Sequence, residues 1–209
     1  MTPAETARTL LDRHRETFAA EAGITLRDEP APLWQLLVLS LLLSTRIGSG
    51  VALATARELW KAGWRTPEAM RASARRARVV ALGRGGYRRY DESTATRLGE
   101  AATLIRDRWH DDLRELRDEA GGDPARTARL LQEFTGIGPT GASIFLREVQ
   151  AVWPGVRPVA DPLVIKGARL AGLPEDAEGL AALVDPDEFA SHAAALVRLA
   201  RKPALLDEL

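Results

Sequence analysis

The sequence predicts an all-α fold, and three observations predict it. Ala, Leu and Arg are abundant while Phe, Trp and Tyr together make up 5% of the chain, a composition of helix formers. Apolar positions recur at helical spacing, and no run alternates as a half-buried strand does. Capping residues, Pro and Gly punctuate the chain at intervals of helix length.

Thr2-Pro3 starts a first helix, which is expected to run to Ala22 and stop at Gly23. Leu33 to Thr45 is apolar all round, as in a central helix surrounded by others. Gly48-Ser49-Gly50 breaks it, and Ser49 can cap a helix over 51–62. Thr66-Pro67 opens a short helix to Ser73, and another follows from Ala74 to Leu82. Gly83-Arg84-Gly85-Gly86-Tyr87-Arg88-Arg89-Tyr90 reads as a loop, because three Gly free the backbone. A long helix spans 91–109, and an amphipathic piece over 111–120 closes at Gly121-Gly122. Asp123-Pro124 caps a helix ending at Phe134, and another runs from Pro139 to Val152. Asp161-Pro162 starts a helix to Ala171, and 175–184 and 187–201 complete the set.

The chain has 209 residues, enough for one domain or two small lobes. It has no Cys, which excludes disulfides, Cys-ligated zinc and an iron–sulfur cluster. Its three His (His14, His110, His192) are scattered, so no metal site is expected. The N-terminus is charged throughout its apolar pattern, unlike a signal peptide, and the run Leu33–Leu43 is too short to span a bilayer. The expected location is the cytoplasm. Formal net charge is zero, but residues 57–108 hold 13 basic and 6 acidic side chains. A locally basic face on a neutral protein can bind phosphates, although a solvated helical face has the same composition. The five Trp read as core.

The segment Phe134-Thr135-Gly136-Ile137-Gly138-Pro139-Thr140 places two Gly around one apolar residue between two helices. Gly136 and Gly138 allow a sharp turn and leave its N–H groups open to an anion. Ile137 is expected to point inward, and Pro139 suits the first turn of a helix whose free amides favour a phosphate. Ala142 and Ser143 are small enough for close helix packing. A plain tight connection would use the same residues. Farther on, Pro158-Val159-Ala160-Asp161-Pro162 puts one carboxylate at a helix start. Alone, Asp161 reads as an N-cap worth about 1 kcal/mol.

Taken together these motifs resemble the helix-hairpin-helix base-excision DNA glycosylases, most closely the endonuclease III branch. The resemblance spans most of the chain. It includes Leu42-Leu43-Ser44-Thr45-Arg46 after an apolar helix, Leu82-Gly83-Arg84, the hairpin 134–138, and Asp161 about twenty residues later. It implies a two-lobed all-α fold with a DNA cleft between the lobes. One lobe would span 33–140, and the other 1–32 plus 141–209. Gly136, Ile137, Gly138 and Thr140 would bind a DNA phosphate, and a monovalent cation has room at the hairpin. The damaged nucleotide would be flipped out of the duplex, and Asp161 would stabilise the positive charge that builds on the sugar. Arg46 and Arg84 stand where the family fills the gap left by that nucleotide, and Arg can do so by stacking. Tyr87 and Arg88 are further candidates for DNA contact, with packing of Tyr87 on the bundle as the alternative reading.

The chain departs from the family at three places. The lyase Lys that forms a Schiff base is replaced by Thr140, and a hydroxyl forms no imine, so no β-lyase step is expected. Lys166, a turn past Asp161, is expected at a phosphate or in solvent. The iron–sulfur cluster is excluded, and no cofactor is expected. The Glu that protonates adenine in mismatch-specific members has its match near Leu39. A pocket without that acid suits a base that already leaves easily, such as a cationic alkylated purine or an oxidised pyrimidine. The expectation is a monofunctional glycosylase, a hydrolase of base excision repair, acting as a monomer on double-stranded DNA at the bacterial nucleoid, with no membrane association. Two alternatives stand beside it: a non-catalytic lesion-binding member of the same fold, and a helical protein–protein module.

Overall fold

The computed structural model describes residues 1–208, and every regular element among them is helical. In chain order these are α1 (Pro3–His14), α2 (Phe18–Glu21), α3 (Pro30–Leu43), α4 (Ser49–Lys61), α5 (Pro67–Ala72), α6 (Arg75–Arg84), α7 (Asp91–Trp109), α8 (Leu113–Ala120), α9 (Pro124–Leu131), α10 (Pro139–Val149), α11 (Pro162–Leu170), α12 (Ala177–Ala181) and α13 (Phe189–Arg201). Short 3-10 turns lie at Pro154–Val156, Pro186–Glu188 and Pro203–Glu208. No helix among the described residues is long and apolar enough to cross a membrane.

The chain divides into two compact units, Ala19–Phe145 and Met1–Phe18 with Leu146–Leu209. The sequence places these boundaries at 32/33 and 140/141 instead. α10 begins in the continuous unit, and its residues from Leu146 belong to the discontinuous one.

In the continuous unit, α3 is the central helix. Every residue from Leu33 to Leu43 is buried, and Ser40 satisfies its hydroxyl on Leu36 O at 2.8 Å. α4 packs on α3 and α6, and α7 packs on α5 and α6. The expected loop over 83–90 is shorter than its glycines suggest. α6 continues to Arg84, because the left-handed break comes only at Gly86, with φ 90°. Gly85 serves close approach: a Cβ there would come within 2.3 Å of Thr55 Cα on α4. Arg78 is buried and ties three segments together, donating to Ala95 O, Met70 O and Ser73 O at 2.8, 3.1 and 2.8 Å. Burial holds its guanidinium below its ordinary pKa.

In the discontinuous unit, Thr2 and Glu5 form a reciprocal capping box at the start of α1. The first helix ends at His14 and not at Ala22, as expected from the sequence. Arg198 of α13 supplies the physical reason: it donates to the carbonyls of His14 and Glu16 and so satisfies the helix end there. α12 is also shorter than the sequence predicts, covering only Ala177–Ala181 behind an Asp176 cap. α13 packs on both α1 and α11 and is buried along most of its length.

His192 on α13 is fully buried, and neither ring nitrogen has a hydrogen-bond partner among the described residues. Burial lowers its pKa from 6.5 to about 4. Between those values the unfolded chain takes up a proton that the folded chain refuses. Stability that is complete above the unfolded pKa is therefore lost as pH falls toward the folded one. The expected loss by pH ~4.5 is about 2–3 kcal/mol. His192→Leu should remove that part of the acid sensitivity, read as a smaller difference between urea midpoints at neutral and mildly acidic pH. Equal differences in both proteins would rule the effect out.

Candidate nucleic-acid interface and carboxylate site

The hairpin is built from the core outward. Phe134 is fully buried and packs on Trp109 with ring centroids 5.4 Å apart. The chain then turns at Gly136, whose φ of 96° is strained for any residue with a Cβ. Ile137 N donates to Phe134 O at 2.9 Å, and the Ile137 side chain is buried. It folds back over Gly141, where a Cβ would meet Ile137 Cγ2 at 3.3 Å and Ser44 Cβ at 3.5 Å. Close packing at this point is served by Gly141, whereas the sequence suggests Ala142 and Ser143. Gly138 O accepts the first bond of α10 from Ala142 N at 3.0 Å. Gly136 and Thr140 are exposed, and Gly138 is half-buried. The turn thus opens onto solvent just ahead of the first-turn amides of α10, which have no intrahelical acceptors.

Three further segments of the same unit meet near this turn. Ser44 touches the Gly141 position, and the neighbouring Thr45 hydroxyl lies 2.7 Å from the Tyr87 hydroxyl. Arg97 of α7 lies across Gly136: a Cβ there would come 2.7 Å from Arg97 Cδ and 3.3 Å from its Nε. Tyr87 corrects the sequence reading. It is fully buried with its hydroxyl on Thr45, so it supports the core and has no surface for DNA. Burial raises its pKa, and the Thr45 bond and the nearby Arg97 charge oppose that shift. Arg46, Arg84 and Arg88 are exposed, with Arg84 at the end of α6 and not in a loop.

Asp161 belongs to the discontinuous unit. Gln150 at the end of α10 holds the approach to it: its side chain donates to Val159 O at 3.1 Å and accepts from Val159 N at 2.9 Å. Asp161 then caps α11, with Oδ1 accepting from Leu163 N at 2.8 Å and Val164 N at 3.1 Å. Its Oδ2 accepts from Arg147 Nη1. Both side chains are buried, at 6% and 2% exposure, so this carboxylate does not stand open to solvent. Arg147 Nε also lies 3.7 Å from the Glu148 carboxylate. Asp161, Arg147 and Glu148 thus form one buried group of two carboxyl groups and a guanidinium. Arg147, Arg198 and Arg201 surround the ring of Phe18, at 5.5, 4.7 and 5.8 Å from its centroid. Lys166 is exposed on α11.

Arg147 and Arg97 are the residues that sequence reasoning missed. The available signal for Arg147 was its place in Ile144-Phe145-Leu146-Arg147-Glu148-Val149, a charged pair within an apolar helix segment. Arg97 had no such signal, because it lies in a helix with charge on every exposed turn.

No family model matches the sequence, and no curated protein matches it. Solved structures do. A non-covalent endonuclease III–DNA complex superposes with a TM-score of 0.58 at 14% identity, covering 97% of this chain and 87% of that one. A trapped endonuclease III–DNA covalent intermediate, an estranged-adenine complex, gives 0.51 at 16% identity, covering 95% and 86%. The fold is that of endonuclease III. Coverage of nearly the whole chain means that both units take part in the endonuclease III likeness.

Proposed function

We propose that this protein binds double-stranded DNA through the Gly136–Gly138 hairpin and removes a damaged base by hydrolysing its N-glycosidic bond. The observation that carries the DNA-binding part is the exposed hairpin heading α10 in a chain with the endonuclease III fold. Thr140 stands at the position of the lyase Lys, and its hydroxyl cannot form a Schiff base. The reaction in this reading therefore ends at an intact abasic strand. Asp161 supplies negative charge toward the sugar cation as part of the Asp161–Arg147–Glu148 group. The chemistry calls for water and no cofactor, in a monomer.

A second reading is lesion binding without excision. The observation favouring it is that both oxygens of the Asp161 carboxylate are engaged, one by amides and one by Arg147.

A panel of duplexes carrying single lesions, treated with alkali after incubation, separates the two. Base excision predicts strand breaks that appear only after alkali and that Asp161→Asn suppresses by about a hundredfold or more, with DNA binding retained. Because Asn breaks the buried Asp161–Arg147 ion pair, the variant is compared at a temperature where circular dichroism shows it folded. Breaks without alkali, or a covalent adduct trapped by borohydride, would overturn the absence of lyase chemistry. Tight binding to a lesion with no breaks in any treatment would select the second reading.

A further inference from the structure

We infer that Arg97 is a phosphate-binding residue of the hairpin, placing a guanidinium beside the turn amides so that one DNA phosphodiester meets both. This inference rests on the DNA-binding reading above. Three observations carry it. The Arg97 stem lies on Gly136, with Cδ, Nε and Nη1 at 2.7, 3.3 and 3.5 Å from the position a Cβ would occupy. Gly136 is required by its φ of 96°, which excludes most side chains, and Arg97 occupies the space above it. Second, Arg97 has no carboxylate and no hydrogen-bond acceptor among the described residues. The other two arginines of α7 are committed, Arg106 to Asp107 and Arg108 to Glu119 and Glu133. Third, Arg97 is half-buried and packs its side chain over a Gly136 that is itself exposed. A cation whose stem is already ordered loses little side-chain freedom when an anion arrives.

Hairpin amides alone attract a phosphate by partial charges. A guanidinium adds a full charge and releases a counterion from the DNA. The signature of Arg97 is therefore in the salt dependence of binding as well as in its strength.

The test uses a fluorescently labelled duplex with an abasic-site analogue, titrated with the full-length protein across a series of potassium chloride concentrations. Arg97→Met keeps the apolar stem over Gly136 and removes the charge. It is expected to weaken binding about tenfold at low salt and to reduce the slope of log K against log salt by about 0.9. Arg97→Lys should restore the slope. Arg13→Gln, at an exposed position of α1, changes net charge equally and should leave the slope unchanged. Circular dichroism checks folding, and Arg97→Gln replaces the methionine variant if that one does not fold. Wild-type binding with an unaltered slope in the uncharged variant overturns the role of Arg97 and leaves the hairpin reading standing. Failure of the wild-type protein to bind any duplex overturns both.

Discussion

Arg147→Met should destabilise the protein by about 3–5 kcal/mol, the range seen when one partner of a buried ion pair is removed. The substitution leaves Asp161, at 6% side-chain exposure, with its two cap amides and without its hydrogen-bonded ion-pair partner. It also leaves the neighbouring Glu148 carboxylate without the cation 3.7 Å away. Arg147→Met/Asp161→Asn should recover part of the loss, since the double variant holds no isolated charge from the pair. Urea midpoints of the four proteins in the cycle measure the coupling, and additive losses would mean that the pair is not a unit. The same cycle bears on chemistry. If Arg147 masks the carboxylate, the folded Arg147→Met protein excises faster than wild type. If Arg147 positions it, excision falls while lesion binding holds.

Gly167→Ala should cost about 3 kcal/mol or more, the upper range for overpacking a well-packed contact. The added Cβ would come 2.0 Å from Leu196 O and 2.6 Å from Leu196 C. Those are backbone atoms of α13, so no rotamer change relieves the clash and α11 must move away. Gly167 lies in the helix that Asp161 caps, so any such movement also disturbs the carboxylate. Thermal unfolding of the alanine variant measures the cost. A wild-type midpoint would show that α11 shifts freely and that the close approach contributes nothing to stability. Gly172→Ala is a useful contrast: a Cβ there meets nothing within 4 Å, and only its φ of 67° is strained.

Local signals in the sequence were enough for the helices and for the hairpin. Thr66-Pro67, Asp123-Pro124 and Asp161-Pro162 each start a helix where expected, because a capping oxygen followed by a fixed φ is decided within a few residues. Gly136-Ile137-Gly138 turns as read, with Ile137 inside, for the same reason. Features that depend on residues far apart in the chain were not legible. Nothing near His14 says that Arg198 will take its carbonyl and end α1. Nothing near Arg147 says that the partner fourteen positions later will fold against it. Tyr87 misled for a related reason. A Tyr among Arg and Gly has the composition of a nucleic-acid loop, yet its ring is placed by the core and its hydroxyl by Thr45. The N-cap reading of Asp161 and its reading as a charged group near the reaction are not exclusive, since one oxygen serves the cap and the other meets Arg147.

The discontinuity of one unit has a consequence during synthesis. Residues 19–145 are contiguous and can begin to fold as soon as they leave the ribosome. The other unit needs α1 from the start of the chain and α13 from its last third, which pack on one another. α1 must therefore wait, unpaired, through the translation of most of the protein. Thr6, Ala7, Leu10 and Leu11, buried in the folded protein, stay uncovered in that interval. The Gly136–Gly138 turn lies in the unit that can form first, and Asp161 in the unit that is completed last.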